Sequence, residues 1–107
     1  MRVRITDDPE LGRYEIYADD RRAGYTTYRL QGDLIAFDHT EIDERFEGEG
    51  LGSDLVRHVL DEARSRGLGV LPFCPFVRSW MERHSDYLDL IPEAQRSRFG
   101  IELDDPA

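Results

Sequence analysis

The chain of 107 residues contains no lysine, and all 14 of its basic residues are arginine. A phosphate-binding loop of the G-x-x-x-x-G-K-[ST] type is therefore excluded, because its lysine is missing. Acidic residues number 23, which gives a formal net charge of −9. Because a surface of this charge repels the phosphates of nucleic acids, we expect no nucleic-acid partner.

Cysteine and long apolar runs are equally scarce. Cys74 is the single cysteine, so no internal disulfide can form, which is typical of a reducing cytosol. No apolar run approaches the ~20 residues of a membrane helix, and the N-terminal sequence MRVRITDDPE lacks the apolar centre of a signal peptide. We expect a cytoplasmic protein without membrane contacts. The histidines are scattered and the cysteine stands alone, so we also expect no metal site.

Three segments of the N-terminal half have patterns typical of strands. They are RYEIYA (13–18), AGYTTYRL (23–30) and DLIAFDHTEI (33–42). Short turn-like sequences separate them, and DDPELG precedes the first. Such short connections predict an antiparallel meander.

The C-terminal half changes to a helical period. From Leu51 an apolar stripe predicts an amphipathic helix that stops near Gly67. LGVLPF (68–73) predicts a buried strand parallel to the strand before the helix, and Pro75 suits the first turn of a second helix. The polar tail, about 92–107, is expected to fray. We therefore predict a single domain over 1–107, an α+β, three-layer-like fold of order β-β-β-α-β-α with a C-terminal βαβ unit.

Three alternating glycines, Gly48, Gly50 and Gly52, lie between the third predicted strand and the first helix. Glycines allow the backbone to turn sharply and allow a ligand to approach the N–H groups at the helix start, where the helix dipole favours an anion. The segment therefore indicates a phosphate site, although glycines also serve simply as turns. The dinucleotide pattern G-x-G-x-x-G is disfavoured, because the third glycine comes one residue early and no acidic residue ends the following strand.

The stretch EGEGLGSDLVRHVLDEARSRGLGVLPFCPFVRSWMERHSDY resembles the coenzyme A-binding half of the GNAT superfamily of N-acetyltransferases. It is most similar to small members of about this length, which carry H-T-E-[IV] before the glycine loop and a cysteine after the helix. Here these features are HTEI (39–42) and LPFCPFV (71–77). The resemblance covers about 38–88 and implies a minimal GNAT fold.

The superfamily signature [QR]-x-x-G-x-[GA] matches in two registers. In one, the glycines follow the family pattern and Glu47 occupies the usual arginine or glutamine position. In the other, Arg45, Gly48 and Gly50 match literally but start two residues earlier relative to the helix. In either case Glu47 and Glu49 place carboxylates beside an anionic ligand. Their side chains would have to point away, and Arg45, Arg57 or Arg78 could offset the repulsion.

The resemblance implies that acetyl-coenzyme A is the cosubstrate and contacts the end of the third strand, the glycine loop and the start of the second helix. The residues implied to bind it are Thr40, Ile42, Glu47, Gly48, Glu49, Gly50, Leu51, Gly52, Ser53, Pro75 and Phe76.

Acetyl transfer to an amine requires a base, and the chain offers several candidates for the chemistry. His39 and Glu41 lie on one face of a strand, with Thr40 on the other, and either could accept the proton; for Glu41 this requires a raised pKa. Cys74 could accept the acetyl group covalently, or could be a small buried side chain with transfer proceeding directly. The tyrosine acid used by many superfamily members aligns with Glu82 or Arg83, so it is absent; His84 is a weak substitute and Tyr87 lies beyond the helix.

We therefore predict an N-acetyltransferase that moves an acetyl group from acetyl-coenzyme A to an amine. Superfamily members carry two helices after their first strand that help to build the acceptor site. Here only TDDPELGR (6–13) could fill that place, and it is too short, so the resemblance implies an open acceptor groove. Because the surface is acidic, a cationic protein or polyamine is the expected acceptor. The alternatives are an acyl-coenzyme A-binding module without turnover and an interaction domain without a ligand. We expect a monomer or weak dimer.

Overall fold

The computed structural model describes residues 1–102 and contains one five-stranded sheet in the order β1-β2-β3-β4-β5. The strands are β1 Val3–Asp8, β2 Arg13–Ala18, β3 Arg21–Gln31, β4 Leu34–Ile42 and β5 Gly69–Pro72. The first four strands pair as an antiparallel meander, and β5 pairs parallel to β4. The predicted α+β class, the meander and the βαβ unit are confirmed.

Two α-helices follow the meander, α1 Leu51–Ser65 and α2 Pro75–Arg83, with Pro75 in the first turn of α2. Three 3₁₀ helices span Glu44–Phe46, Ser85–Leu90 and Glu93–Phe99. The predicted apolar stripe of α1 is buried, through Leu51, Leu55, Val56, Val59, Leu60 and Ala63. This stripe packs α1 across β2 to β5 and fixes where its first turn lies relative to the sheet. Among the described residues, no helix is both long and apolar enough to cross a membrane.

The predicted order β-β-β-α-β-α contains one strand too few, because no strand is predicted before RYEIYA and the structure adds β1 there. It is an edge strand, so one side of it has no partner within the described sheet, and three of its six residues are exposed. Ile5 packs against the core opposite Ile16 of β2. Since β1 contributes so little to the core, its alternation of apolar and polar residues is short and ends in two aspartates. The pattern is therefore a weak signal for a strand.

The tail does not fray over 93–101, contrary to expectation. The 3₁₀ helix Glu93–Phe99 returns to the molecule, and Phe99 and Ile101 are buried. The rings of Phe99 and Phe73 pack edge to face with centroids 5.1 Å apart. Residues 103–107 of the predicted tail lie outside the described residues.

The sheet opens at the C-terminal end of β4. Pairing with β5 runs from Leu34–Gly69 to Phe37–Pro72, and the last hydrogen bond on this side joins the Cys74 N–H to the Phe37 carbonyl at 2.8 Å. A bulge at Asp38 interrupts the pairing of β4 with β3, because Tyr28 pairs with Phe37 and Thr27 with His39. Beyond it, β4 is paired on the β3 side only, and its other edge is open over 38–42.

Candidate active site

A cavity of about 370 Å³ lies beside the open edge of β4. Its walls come from the end of β4, the glycine segment, the first turn of α1 and the start of α2. The lining residues are Thr40, Ile42, Phe46, Glu47, Gly48, Gly50, Leu51, Gly52, Ser53 and Phe76. The cavity therefore forms only where the meander and the βαβ crossover meet.

Gly48 and Gly50 make the turn into α1. Their φ values are 85° and 77°, a left-handed conformation that costs most other residues roughly 1–2 kcal/mol. Gly50 is the N-cap of α1, and no side chain among residues 1–102 caps the helix. The first backbone N–H groups of α1 are therefore without intrahelical or capping partners at the cavity wall. Together with the helix dipole, they suit an anion.

Gly52 serves a different purpose, since it lets α2 approach α1. A Cβ at this position would lie 2.7 Å from Cζ of Phe76 and 3.5 Å from Cγ1 of Ile42. The ring of Phe76 is exposed on its other side and forms part of the cavity wall. The glycine thus allows an aromatic ring to lie directly against the helix start.

The charges around the cavity favour the backbone as the anion-binding element. Glu47 lines the cavity, and its own N–H donates to the Glu44 carbonyl at 3.3 Å. Arg45 is paired with Asp43, whose Oδ2 lies 3.1 Å from its guanidinium. The guanidinium of Arg57 lies over the ring of Trp80, 5.1 Å from its centroid. None of Arg45, Arg57 and Arg78 lines the cavity, so the expected compensation of the Glu47 charge is not seen at its wall.

Most of the residues implied to bind the cosubstrate are brought together. The cavity wall includes Thr40, Ile42, Glu47, Gly48, Gly50, Leu51, Gly52, Ser53 and Phe76. Glu49 and Pro75 are exposed and do not belong to the wall. Phe46 was not predicted, because its position depends on the 3₁₀ turn Glu44–Phe46 that precedes the glycines.

Cys74 lies behind the cavity wall and is 2% exposed. Its thiol donates to the Thr40 hydroxyl, with Sγ and Oγ1 3.4 Å apart. Oγ1 of Thr40 is 2.8 Å from Oγ1 of the fully buried Thr26, which also lies 3.2 Å from the carbonyl oxygen of His39. The consistent direction of donation is Cys74 to Thr40 to Thr26 to the His39 carbonyl, because the carbonyl can only accept. This series of hydrogen bonds ends at a backbone carbonyl and includes no base that could remove the thiol proton.

His39 and Glu41 share the face of β4 opposite Thr40, as the alternation predicted. Nε2 of His39 is 3.3 Å from Oε2 of Glu41, which also accepts a hydrogen bond from the Tyr25 hydroxyl at 2.7 Å. The hydrogen bond from Tyr25, and then that from His39, holds the pKa of Glu41 below its ordinary value. A role for Glu41 as the base required a raised pKa, so the lowered pKa argues against it. Both His39 and Glu41 lie outside the cavity wall, on the face of β4 opposite Thr40.

Neither candidate for a general acid at the end of α2 reaches the cavity. The ring of His84 stacks on Trp80 with centroids 3.8 Å apart, and its Nδ1 lies 2.7 Å from the Trp80 carbonyl oxygen. Tyr87 lies beyond α2, as expected, and its hydroxyl donates to Asp61 at 2.8 Å. Glu82 and Arg83 are exposed.

No metal centre accompanies the cavity in the part of the chain that the structure describes. Among residues 1–102, no three His, Cys, Asp or Glu side chains are close enough together to hold an ion.

The family model of the GCN5-related N-acetyl-transferases matches residues 13–90, which include both the meander and the βαβ unit. The chain belongs to this family. The GCN5-related acetyltransferase fold is also found in a solved protein from Staphylococcus aureus, described as GCN5-like and determined by NMR. This protein is 26% identical, with a TM-score of 0.65 over 82% of this chain and 86% of its own. Ard1 from Thermoplasma volcanium is 19% identical, with a TM-score of 0.48 over 53% of this chain and 39% of its own. No curated protein matches the chain.

Proposed function

We propose that this GCN5-related chain transfers the acetyl group of acetyl-coenzyme A to a cationic amine. Family membership supports acetyl transfer in general. One observation supports acetyl-coenzyme A as the cosubstrate. The start of α1 follows a glycine turn, has no side-chain cap, and lies at a cavity beside the open edge of β4.

The residues of the cavity fit acetyl-coenzyme A in two ways. The uncapped N–H groups of α1 suit its phosphates, since each of these groups needs an acceptor. Ile42, Leu51 and Phe76 supply apolar wall for its carbon chain. Glu47 acts against the phosphates, and the net charge of −9 adds to this, so binding should strengthen with salt screening rather than weaken.

Acetyl-coenzyme A, when bound, supplies an acetyl thioester whose C–S bond breaks as the amine nitrogen attacks. The role of the protein's own residues is to bind the two substrates and to move protons. His39 is the proposed base, because an imidazole nitrogen can accept a proton and its side chain is 60% exposed to an incoming amine. Thr40 forms the wall on the other side of the same strand. Cys74 is proposed to keep Thr40 in place rather than to carry the acetyl group.

The acceptor is proposed to be a cationic amine, a polyamine or an amine on a basic protein. Glu41 and Glu44 present carboxylates at the end of β4, where Asp43 is already paired with Arg45, within a chain of strongly negative charge. Such a field raises the encounter rate of cations. With spermidine as the acceptor, kcat/KM should fall as salt rises from low to physiological concentration. A rate independent of salt would contradict electrostatic steering.

Melting temperature with and without acetyl-coenzyme A tests the cosubstrate. Ligand at about 100 times its Kd adds about 2.7 kcal/mol to stability, a rise of roughly 10 °C for a domain of this size. Two variants form a matched pair, since Gly50 and Gly32 both have positive φ and open space where a Cβ would lie. Both Gly→Ala changes should lower the basal Tm. Only Gly50→Ala should also lose the ligand-induced rise, because its methyl group would lie at the uncapped helix start.

An acyl-coenzyme A-binding module without turnover is the second candidate. The positions of His84 and Tyr87 favour it, because neither can protonate a leaving thiolate at the cavity. Release of free thiol from acetyl-coenzyme A in the presence of spermidine separates the two functions. A ligand-induced rise in Tm without thiol release would favour the binding module, and the absence of any rise at millimolar ligand would exclude both.

A further inference from the structure

Three consecutive side chains of β3 hold three consecutive residues of β4. The register pairs Tyr25 with Glu41, Thr26 with Thr40 and Thr27 with His39. The hydroxyls of Thr26 and Thr27 lie 3.2 Å and 3.4 Å from the carbonyl oxygen of His39, which anchors its backbone. On the face of β3 opposite Thr26, which Tyr25 shares with Thr27, the Tyr25 hydroxyl donates to Glu41 at 2.7 Å. The backbone and the neighbour of His39 are therefore both fixed by β3.

The imidazole of His39 is oriented by this arrangement. Nε2 is the ring nitrogen that lies beside Glu41 Oε2, at 3.3 Å. A carboxylate can only accept, so Nε2 must carry the hydrogen in the neutral ring, and Nδ1 then carries the lone pair. The Tyr25 ring lies on one side of the imidazole, with centroids 6.1 Å and planes 57° apart.

We propose that Glu41 and Tyr25 are positioning residues that fix the tautomer of His39, so that its Nδ1 accepts the proton of the acceptor amine. This inference rests on the proposed acetyltransferase function. Tyr25 acts through Glu41, because its hydroxyl occupies the same Oε2 atom that faces the imidazole. The arrangement follows the logic by which a buried aspartate orients the histidine of a serine protease, although here the carboxylate is largely exposed.

Two protons leave the nitrogen of the acceptor ammonium during the transfer. An amine that arrives as an ammonium ion gives one proton to Nδ1 of His39 and becomes a free amine. Its nitrogen then forms a bond to the acetyl carbonyl carbon as the C–S bond breaks, and the second proton of the nitrogen goes to the departing thiolate. His39 returns its proton to water, to which its side chain is 60% exposed. The products are the amide, the free thiol and one proton in solution.

Nitrogen-15 NMR of the His39 ring tests the tautomer without any turnover. At a pH where the ring is neutral, the wild-type spectrum should show a single tautomer with hydrogen on Nε2. The Glu41→Ala variant, which has no acceptor at this position, should show both tautomers in exchange. Two results would overturn the proposal: hydrogen on Nδ1 in the wild type, or a tautomer ratio that Glu41→Ala leaves unchanged.

Kinetics with spermidine as the acceptor give a second readout. A general base contributes ~10²- to 10⁴-fold to rate, so loss of its orientation in Glu41→Ala should lower kcat by about 10- to 100-fold with little change in KM for acetyl-coenzyme A. Tyr25→Phe should lower kcat less. The matched control is Tyr17→Phe, because the Tyr17 hydroxyl donates to Glu15 at 3.3 Å rather than to Glu41. A loss in Tyr17→Phe equal to that in Tyr25→Phe would contradict the proposal.

The two proposals fail in different ways. If acetyl-coenzyme A does not raise the Tm of the wild type, the proposed function is wrong. The positioning role is then wrong as well, regardless of which tautomer His39 adopts. With a Tm rise and thiol release but an unchanged tautomer ratio in Glu41→Ala, the acetyltransferase stands and Glu41 has no positioning role.

Discussion

Thr26 Oγ1 lies 2.8 Å from Thr40 Oγ1 and connects the interior of the sheet to the cavity wall. Thr26 is fully buried, so its hydroxyl is screened from water and its partners matter for stability. The same oxygen lies 3.2 Å from the carbonyl oxygen of His39. One buried hydroxyl thus holds both a residue that lines the cavity and the backbone of the proposed base.

We predict that Thr26→Val destabilises the fold. The substitution keeps the shape of the side chain but leaves the Thr40 hydroxyl and the His39 carbonyl short of a partner, at a cost of about 1–3 kcal/mol. Thr26→Ser keeps the hydroxyl and should restore most of the hydrogen bonding. Urea unfolding of the three proteins measures the difference. A Thr26→Val protein as stable as the wild type would show that these bonds contribute nothing.

We predict that Cys74→Ala retains most of the activity. The thiol is 2% exposed, donates to Thr40 and has no base to take its proton, so it is poorly suited to attack a thioester. The loss in kcat should stay below about tenfold, or ~1.4 kcal/mol in the barrier. Mass spectrometry of wild type mixed with acetyl-coenzyme A should show no protein heavier by one acetyl group. An acetylated Cys74, with an inactive Cys74→Ala variant, would establish covalent transfer.

We predict that Ser53→Ala lowers the melting temperature. The fully buried Trp80 donates from Nε1 to Ser53 Oγ at 2.8 Å, and removal of this oxygen strands a buried donor. The cost of about 1–3 kcal/mol corresponds to several degrees in Tm. Ser79→Ala is the matched control on α2, since Ser79 is exposed and accepts only from Arg83, at 3.4 Å. Equal Tm changes in the two variants would rule out a special role for the Trp80 bond.

We predict that Glu15 makes the fold sensitive to acid. Burial acts to raise the pKa of this carboxyl, but hydrogen bonds from Arg22 and Arg13 outweigh it and hold the pKa below the ordinary 4.5. A depressed folded-state pKa stabilises the protein above the unfolded pKa and ceases to do so as pH falls through the folded value. Unfolding free energies measured from pH 7 to pH 3 should therefore drop more steeply for wild type than for Glu15→Gln once the pH is below about 4.5. Parallel curves would contradict this.

The periodic parts of the sequence were sufficient to predict the centre of the fold. The buried stripe from Leu51 to Ala63 and the alternation in RYEIYA are strong, because these elements pack against the core over their whole length. β1 and the segment that carries Phe99 and Ile101 were missed because β1 has no fully buried side chain and the segment buries only these two. A 3₁₀ segment also lacks the 3.6-residue period that reveals an α-helix.

The candidate site was predictable where residues are close in sequence and not where they are close only in space. The glycine segment and the start of α1 are contiguous, so their role follows from local pattern. The contacts of Tyr25 with Glu41 and of Cys74 with Thr40 depend on strand register, and the bulge at Asp38 shifts that register by one residue. No local signal in the sequence reports a bulge of this kind, so neither contact could be predicted.

The short parallel pairing of β4 with β5 has a consequence for the order of folding. The meander is built from hairpins between neighbouring strands, whereas Leu34 and Gly69 pair across 35 positions of chain. Closure of the longer loop costs more entropy and is slower, so we expect the meander to form first and α1 and β5 to dock on it last. The cavity, with walls from both halves, is then completed only in that final step, and a molecule that bridges the two walls would slow their separation.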